Sequence, residues 1–259
     1  MPFADLNGAR IHYELEGPKN APVLVFSNSL GTDLTMWDGQ AAEMAKKFRV
    51  LRYDKRGHGQ SSAPAGPYTI EKLGRDAVAL LDFLNFDKVD FCGLSIGGQT
   101  GMWLGTNAAD RLKKLILCNT SAKIGTHDGW NQRIDTVRKE GMKVVAPAVM
   151  ERWFTPAFRA KEPDPVAKTQ RMLESANPEG YAGCCAAVRD FDAREKLSGV
   201  RTPTLVIAGT HDPATPAAEG RWAAEQIPGS QYVELDAAHL SNIEARDKFT
   251  AAISKFLAA

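Results

Sequence analysis

The sequence predicts an α/β fold: a mostly parallel, doubly wound sheet interrupted by an inserted helical cap. Three observations predict it. Short, continuous apolar runs alternate with segments of helical periodicity, as parallel strands covered on both faces require. One long interval, residues 122–195, carries helical stretches and no convincing strand. Finally, 259 residues, 44% of them hydrophobic, suit one large core with an insertion better than two separate cores.

The elements follow in order. The opening FADLNGARIHYELEG alternates around Asn7-Gly8, the pattern of a hairpin closed by a tight primed turn. Six strands are then read at PVLVFSN (22–28), RVLRYD (49–54), VDFCGL (89–94), LKKLILCNT (112–120), PTLVIAGT (203–210) and QYVELD (231–236). Between the second and third of these, Thr69 can cap a helix. Its Ile70, Leu73, Ala77, Leu80, Leu81 and Leu84 form one stripe at the 3.6-residue period. The final segment repeats Phe249, Ile253 and Phe256 on one helical face. Residues 122–195, punctuated by Pro156, Pro163, Pro165 and Pro178, read as the cap, leaving 1–121 and 196–259 as the core.

Composition narrows the function classes. A net charge of +1 gives no electrostatic reason to expect nucleic acid or an anionic membrane as partner. No apolar run approaches the roughly eighteen residues needed to span a bilayer. The opening residues lack the basic region and apolar core of a secretory signal. Cys92, Cys118, Cys184 and Cys185 match neither a disulfide framework nor zinc-ligand spacing. They read as reduced, mostly buried thiols, and the expected location is the cytoplasm.

The chemistry centres on Gly93-Leu94-Ser95-Ile96-Gly97. Alone the pattern is weak, because glycine and serine are common in turns. Its place, ending a strand and opening a small-residue helix, is that of a nucleophile elbow, after which an α/β-hydrolase presents its acid and then its histidine. Asp212 follows an apolar run and Gly209, and precedes Pro213 and Pro216; a turn or helix-capping aspartate is the competing reading there. Its rivals fit less well. Asn119 has no carboxylate, Asp190 and Asp192 lie at the exit of the cap, and Asp236 stands only three residues before the candidate base. That base is His239, which follows the last strand with Ala237 and Ala238 leaving room around it. His12 falls in the hairpin and His127 in the cap; His58 is expected to shape its loop, and His211 to turn away from the acid beside it. Ser95 would then attack, His239 would carry the proton, and Asp212 would orient the imidazole. Backbone N–H groups of Leu30 and Ile96 are the expected oxyanion donors. Asn28-Ser29 stands where many hydrolases carry His-Gly, and a backbone donor does not need that histidine.

With these motifs in place, the sequence resembles the 3-oxoadipate enol-lactonases, enol-lactone hydrolases of the bacterial β-ketoadipate pathway. The likeness runs through NSLGTDLTMWD, YDKRGHGQSSAP, CGLSIGGQTGMWL, LCNTSAKIG, RWFTPAF and AAHLSNIE. It implies hydrolysis of an enol-lactone to 3-oxoadipate through an acyl-enzyme, with no metal or organic cofactor. Some relatives carry a fused decarboxylase domain; this chain stops after its last helix, so the hydrolase alone is expected. The implied lactone is a small anion, and a buried carboxylate needs a cation or several hydrogen bonds. Arg133 beside Trp130, with Trp153 as an apolar wall, is the candidate, and Lys123 and Arg189 are held in reserve. The competing reading of Arg133 is an ordinary solvated helix residue. A carbon–carbon hydrolase of meta-cleavage products or a general carboxylesterase would share the triad, and a non-catalytic receptor could share the fold. Dehalogenases and epoxide hydrolases of this fold use an aspartate nucleophile, so Ser95 argues against both. Oligomeric state is not written in these patterns.

Overall fold

The computed structural model describes residues 2–259. β1 (Phe3–Leu6) and β2 (Ala9–Glu16) form the hairpin, with Asn7 and Gly8 both at positive φ, 50° and 76°, as a primed turn demands. β3 (Val23–Ser27), β4 (Arg49–Tyr53), β5 (Val89–Leu94), β6 (Leu112–Cys118), β7 (Thr204–Gly209) and β8 (Gln231–Leu235) complete one eight-stranded sheet. The order is β1-β2-β4-β3-β5-β6-β7-β8; β2 joins β4 antiparallel, and every pairing from β4 onward is parallel.

Apolar runs become central strands here because each face has a cover. Leu24, Phe26, Val50, Cys92, Ile116, Leu205 and Ile207 enter one core, while Val25, Leu51, Phe91, Leu115, Leu117 and Val206 enter the other. This is the two-residue period of a strand with both faces buried. α2 (Ile70–Phe83), α3 (Ile96–Asn107) and α9 (Ala217–Gln226) feed the second core, with Ile70, Leu73 and Ile96 reaching the first; α1 (Asp38–Met44) and, after the short α10 (Ser241–Glu244), α11 (Arg246–Ala258) feed the first. Thr69 caps α2 by accepting the Lys72 N–H at 3.1 Å, and Phe249, Ile253 and Phe256 are the buried stripe of α11.

Between β6 and β7 the chain makes five α-helices: α4 (His127–Glu140), α5 (Ala146–Trp153), α6 (Pro156–Lys161), α7 (Pro163–Glu174) and α8 (Pro178–Asp190). α4 packs on α8, and α7 on α5 and α6. Val137, Val149, Leu173 and Tyr181 from these helices belong to the same apolar cluster as Phe26 and Ile116 of the sheet. The helical insertion therefore has no separate core of its own. No described helix is long and apolar enough to cross a membrane.

Boundaries shift where a side chain has another duty. β6 ends at Cys118 rather than 120, because Asn119 turns away at φ 41° and sends its side chain beneath the loops that follow β7 and β8.

Candidate active site

Ser95 sits between β5 and α3 at φ 60°, ψ −117°, outside the regions open to an ordinary L-residue. The turn closes because neighbouring backbones come very near. A methyl group on Gly93 would strike the Gly97 carbonyl, and one on Gly97 would strike the Ser27 carbonyl. Those contacts are the physical reason for glycine on both sides of the serine. The Ser95 N–H donates to the Cys118 carbonyl (2.9 Å) and its own carbonyl accepts from Thr120 Oγ1 (2.8 Å), so the strained residue is held from both ends.

Asp212 follows β7, and His239 follows β8, at the same end of the sheet. His239 Nδ1 lies 2.8 Å from Asp212 Oδ2, with both side chains buried. That oxygen also accepts from Thr215 Oγ1 (2.7 Å) and Asn119 Nδ2 (3.0 Å), while Oδ1 accepts from the N–H groups of Ala214 (2.8 Å) and Thr215 (3.0 Å). Burial opposes the charge on Asp212, but the His239 charge and these hydrogen bonds outweigh it and hold the carboxyl below the usual range. Among the described residues no hydrogen bond joins the Ser95 hydroxyl to His239; both line one cavity of about 350 Å³. Such a contact commonly tightens only when substrate is bound.

The rival groups are engaged elsewhere. Asp236 pairs with His211 Nε2 at 2.8 Å on the surface. Asp190 is held by Arg189, and Asp192 by Arg194. His12 is buried against Asp54 at 2.8 Å, and His127 is exposed.

The loop after β3 runs Asn28-Ser29-Leu30-Gly31-Thr32. Its Ser29 N–H meets Met36 Sδ (3.3 Å), its Gly31 N–H meets His58 Nε2 (2.9 Å), and its Thr32 N–H meets the Ser29 carbonyl (3.4 Å). The N–H of Leu30, which lines the cavity, has no acceptor among the described residues. The Ser29 hydroxyl is also buried without a partner. YDKRGHG is the scaffold under this loop: Asp54 takes the Leu34 N–H (2.7 Å), Arg56 pairs with Asp76 (2.5 Å), and Lys55 Nζ donates to the Ser29 carbonyl (2.8 Å). Burial, helped by the charge of Lys55, drives the His58 imidazole well below its ordinary pKa, so it is neutral and accepts at Nε2.

Arg133, Trp130 and Trp153 all line the cavity. The Arg133 guanidinium lies 5.3 Å from the Trp130 ring centroid and 3.4 Å from the Tyr181 hydroxyl. Arg133 is half-buried, which excludes the fully solvated reading. The reserve cations are elsewhere: Lys123 Nζ donates to the Arg189 carbonyl (2.7 Å), and Arg189 is spent on Asp190 and Asn131. Sequence reasoning missed Arg152, a second guanidinium on the cavity wall, whose ionisation is lowered by burial and then by Arg133. Its signal was present: Val149, Arg152 and Trp153 share one face of α5, and all three line the cavity. Neither arginine has a carboxylate partner among the described residues. No group of three or more His, Cys, Asp or Glu among those residues is placed to hold a metal ion.

A buried serine, a histidine held by an ionised aspartate and an unoccupied backbone donor can together support attack on a carbonyl carbon. The facing pair of arginines can take an anion.

A family model described as alpha/beta hydrolase fold matches residues 22–246. Over 243 residues the chain is 43% identical to 3-oxoadipate enol-lactonase 2 of Acinetobacter baylyi, covering 94% of this chain and 91% of that one. It is 42% identical to 3-oxoadipate enol-lactonase 1 of the same organism, covering 96% and 94%. The crystal structure of the enol-lactonase from Burkholderia xenovorans LB400 superposes at a TM-score of 0.98, with 48% identity and all of both chains covered. The chain thus belongs to the α/β-hydrolase family, and within it to the 3-oxoadipate enol-lactonases.

Proposed function

We propose that this enzyme opens 3-oxoadipate enol-lactone with water, through Ser95, His239 and Asp212. The observation that carries the reading is the cavity itself: Ser95 and His239 share it with two arginines that lack carboxylate partners. The relatives' names supply the lactone.

His239 takes the Ser95 hydroxyl proton as Oγ bonds to the ring carbonyl carbon. The N–H groups of Leu30 and Ile96 receive the oxyanion. Collapse breaks the ring carbon–oxygen bond, and His239 returns the proton to the departing enol oxygen. The enol then tautomerises to the ketone, which makes ring opening hard to reverse. Water, deprotonated by His239, cleaves the acyl-enzyme and frees the second carboxylate. Asp212 keeps the imidazole proton on Nδ1 and stabilises the imidazolium between steps. Arg133 and Arg152 hold the carboxylate already present on the lactone, against the indoles of Trp130 and Trp153.

The test is turnover of authentic enol-lactone beside a neutral aryl ester, with trapping by a serine-directed phosphonate. Ser95→Ala is expected to lower turnover on the order of 10⁴–10⁶-fold, to abolish trapping and to leave lactone binding intact. Near-normal turnover by that variant would sink the serine mechanism. Turnover of the aryl ester alone would sink the lactone assignment.

A further inference from the structure

The peptide joining Ser29 to Leu30 carries two polar groups with opposite fates. Its N–H, on Leu30, has no acceptor among the described residues and belongs to a residue lining the cavity. Its carbonyl, on Ser29, accepts from Lys55 Nζ at 2.8 Å and from Thr32 Oγ1 at 3.0 Å. Lys55 is 3% exposed and has no carboxylate within ion-pairing distance among the described residues. A buried ammonium so placed is costly, and a neutral donor would satisfy the same carbonyl. Folding alone gives no reason for the charge.

We infer that Lys55 strengthens the oxyanion donor at Leu30 by polarising the Ser29–Leu30 peptide from behind. The inference rests on the oxyanion reading of Leu30 made above. Because the peptide is a resonance unit, a cation at the carbonyl oxygen draws density away from nitrogen and makes the N–H more positive. The cation and the developing oxyanion thus act on opposite ends of one dipole, which is favourable as the negative charge forms. His58 and Met36 meanwhile occupy the N–H groups on either side of Leu30, so the loop cannot rotate to relieve the polarised one. Lys55 is a positioning residue: it acts on the donor and not on the substrate.

The surroundings make the idea measurable by pH. Burial lowers the Lys55 pKa to about 8, against the raising influence of Asp54 and Asp33 on the loops. Burial pushes the Cys184 thiol up to about 12 and holds the facing His58 neutral. Arg56, next in the chain, is committed to Asp76. Lys55 is therefore the group of this layer that changes charge between pH 7 and 10.

The experiment follows kcat on a neutral aryl ester from pH 7 to 10, corrected for spontaneous hydrolysis, in the wild type and in Lys55→Met. The variant is expected to lose about tenfold in kcat at pH 7 with KM held, a smaller loss than deleting an oxyanion donor outright. Affinity for a boronic acid that forms a tetrahedral adduct on Ser95 should fall in parallel, and affinity for a ground-state carboxylate should not. Wild-type kcat should decline above pH about 8, and that decline should vanish in the variant. Unchanged kcat and boronate affinity, or a loss shared by the ground-state ligand, would overturn the inference. If Lys55→Met does not fold, Lys55→Gln, an uncharged donor, takes its place: the same loss in kcat and boronate affinity upholds the inference, and wild-type values overturn it. The aryl ester needs the oxyanion donor but not the arginines, so failure on enol-lactone alone would refute the substrate and leave this result standing.

Discussion

At the scale of single residues, the assignment that most needs a test is the acid, since an aspartate follows each of the last two strands, Asp212 after β7 and Asp236 after β8. Asp212 receives five hydrogen bonds, one of them from His239; Asp236 faces solvent and His211. Asp212→Asn is expected to cost on the order of 10⁴-fold in turnover by misorienting the imidazole. Asp236→Asn should leave turnover within about twofold, as an exposed pair contributes little. The opposite ranking in side-by-side kinetics would move the acid to 236. Ser95, Asp212 and His239 could be read from the chain because each ends an apolar run, so local pattern carried the information. Asn119 could not be read as a partner of Asp212. Its amide meets the carboxylate only after β6 and β7 are paired. Lys55 was equally hidden, because its place behind Ser29 depends on β3 lying beside β4.

At the scale of elements, both periods showed plainly in the sequence: two for the covered strands, 3.6 for α2 and α11. Ends were less legible. The stretch from 128 to 154 has helical character throughout, yet it divides at Gly141, whose φ of 82° ends α4 before α5 begins. The strand–elbow–helix unit is the most tightly specified element. Gly97→Ala is expected to destabilise the fold by roughly 3 kcal/mol, because the added methyl meets backbone that cannot step aside. Urea denaturation measures this, and an unaltered midpoint would show that the β5–α3 turn has slack that its contacts deny.

At the scale of the whole molecule, labour is divided between the sheet and the inserted helices. The sheet ends carry Ser95, Asp212 and His239, and α4 and α5 carry the charge that would select the substrate. Arg133→Ala and Arg152→Ala are each expected to raise KM for the anionic lactone by about 10-fold, the order of one lost charge-assisted hydrogen bond. Aryl ester hydrolysis should barely change. Equal losses on both substrates would mean damaged packing between α4, α5 and α8.

The sheet order also bears on how the protein comes into being. From β5 onward each new strand is laid beside its predecessor, and in the proposed triad Ser95 leaves the ribosome long before Asp212 and His239. A nascent chain that has emerged as far as α8 already contains Ser95 and both arginines, yet lacks the histidine proposed to remove the hydroxyl proton. With that triad, competence would arrive only when β8 has docked and delivered its loop, and the unfinished polypeptide would pass through synthesis chemically silent.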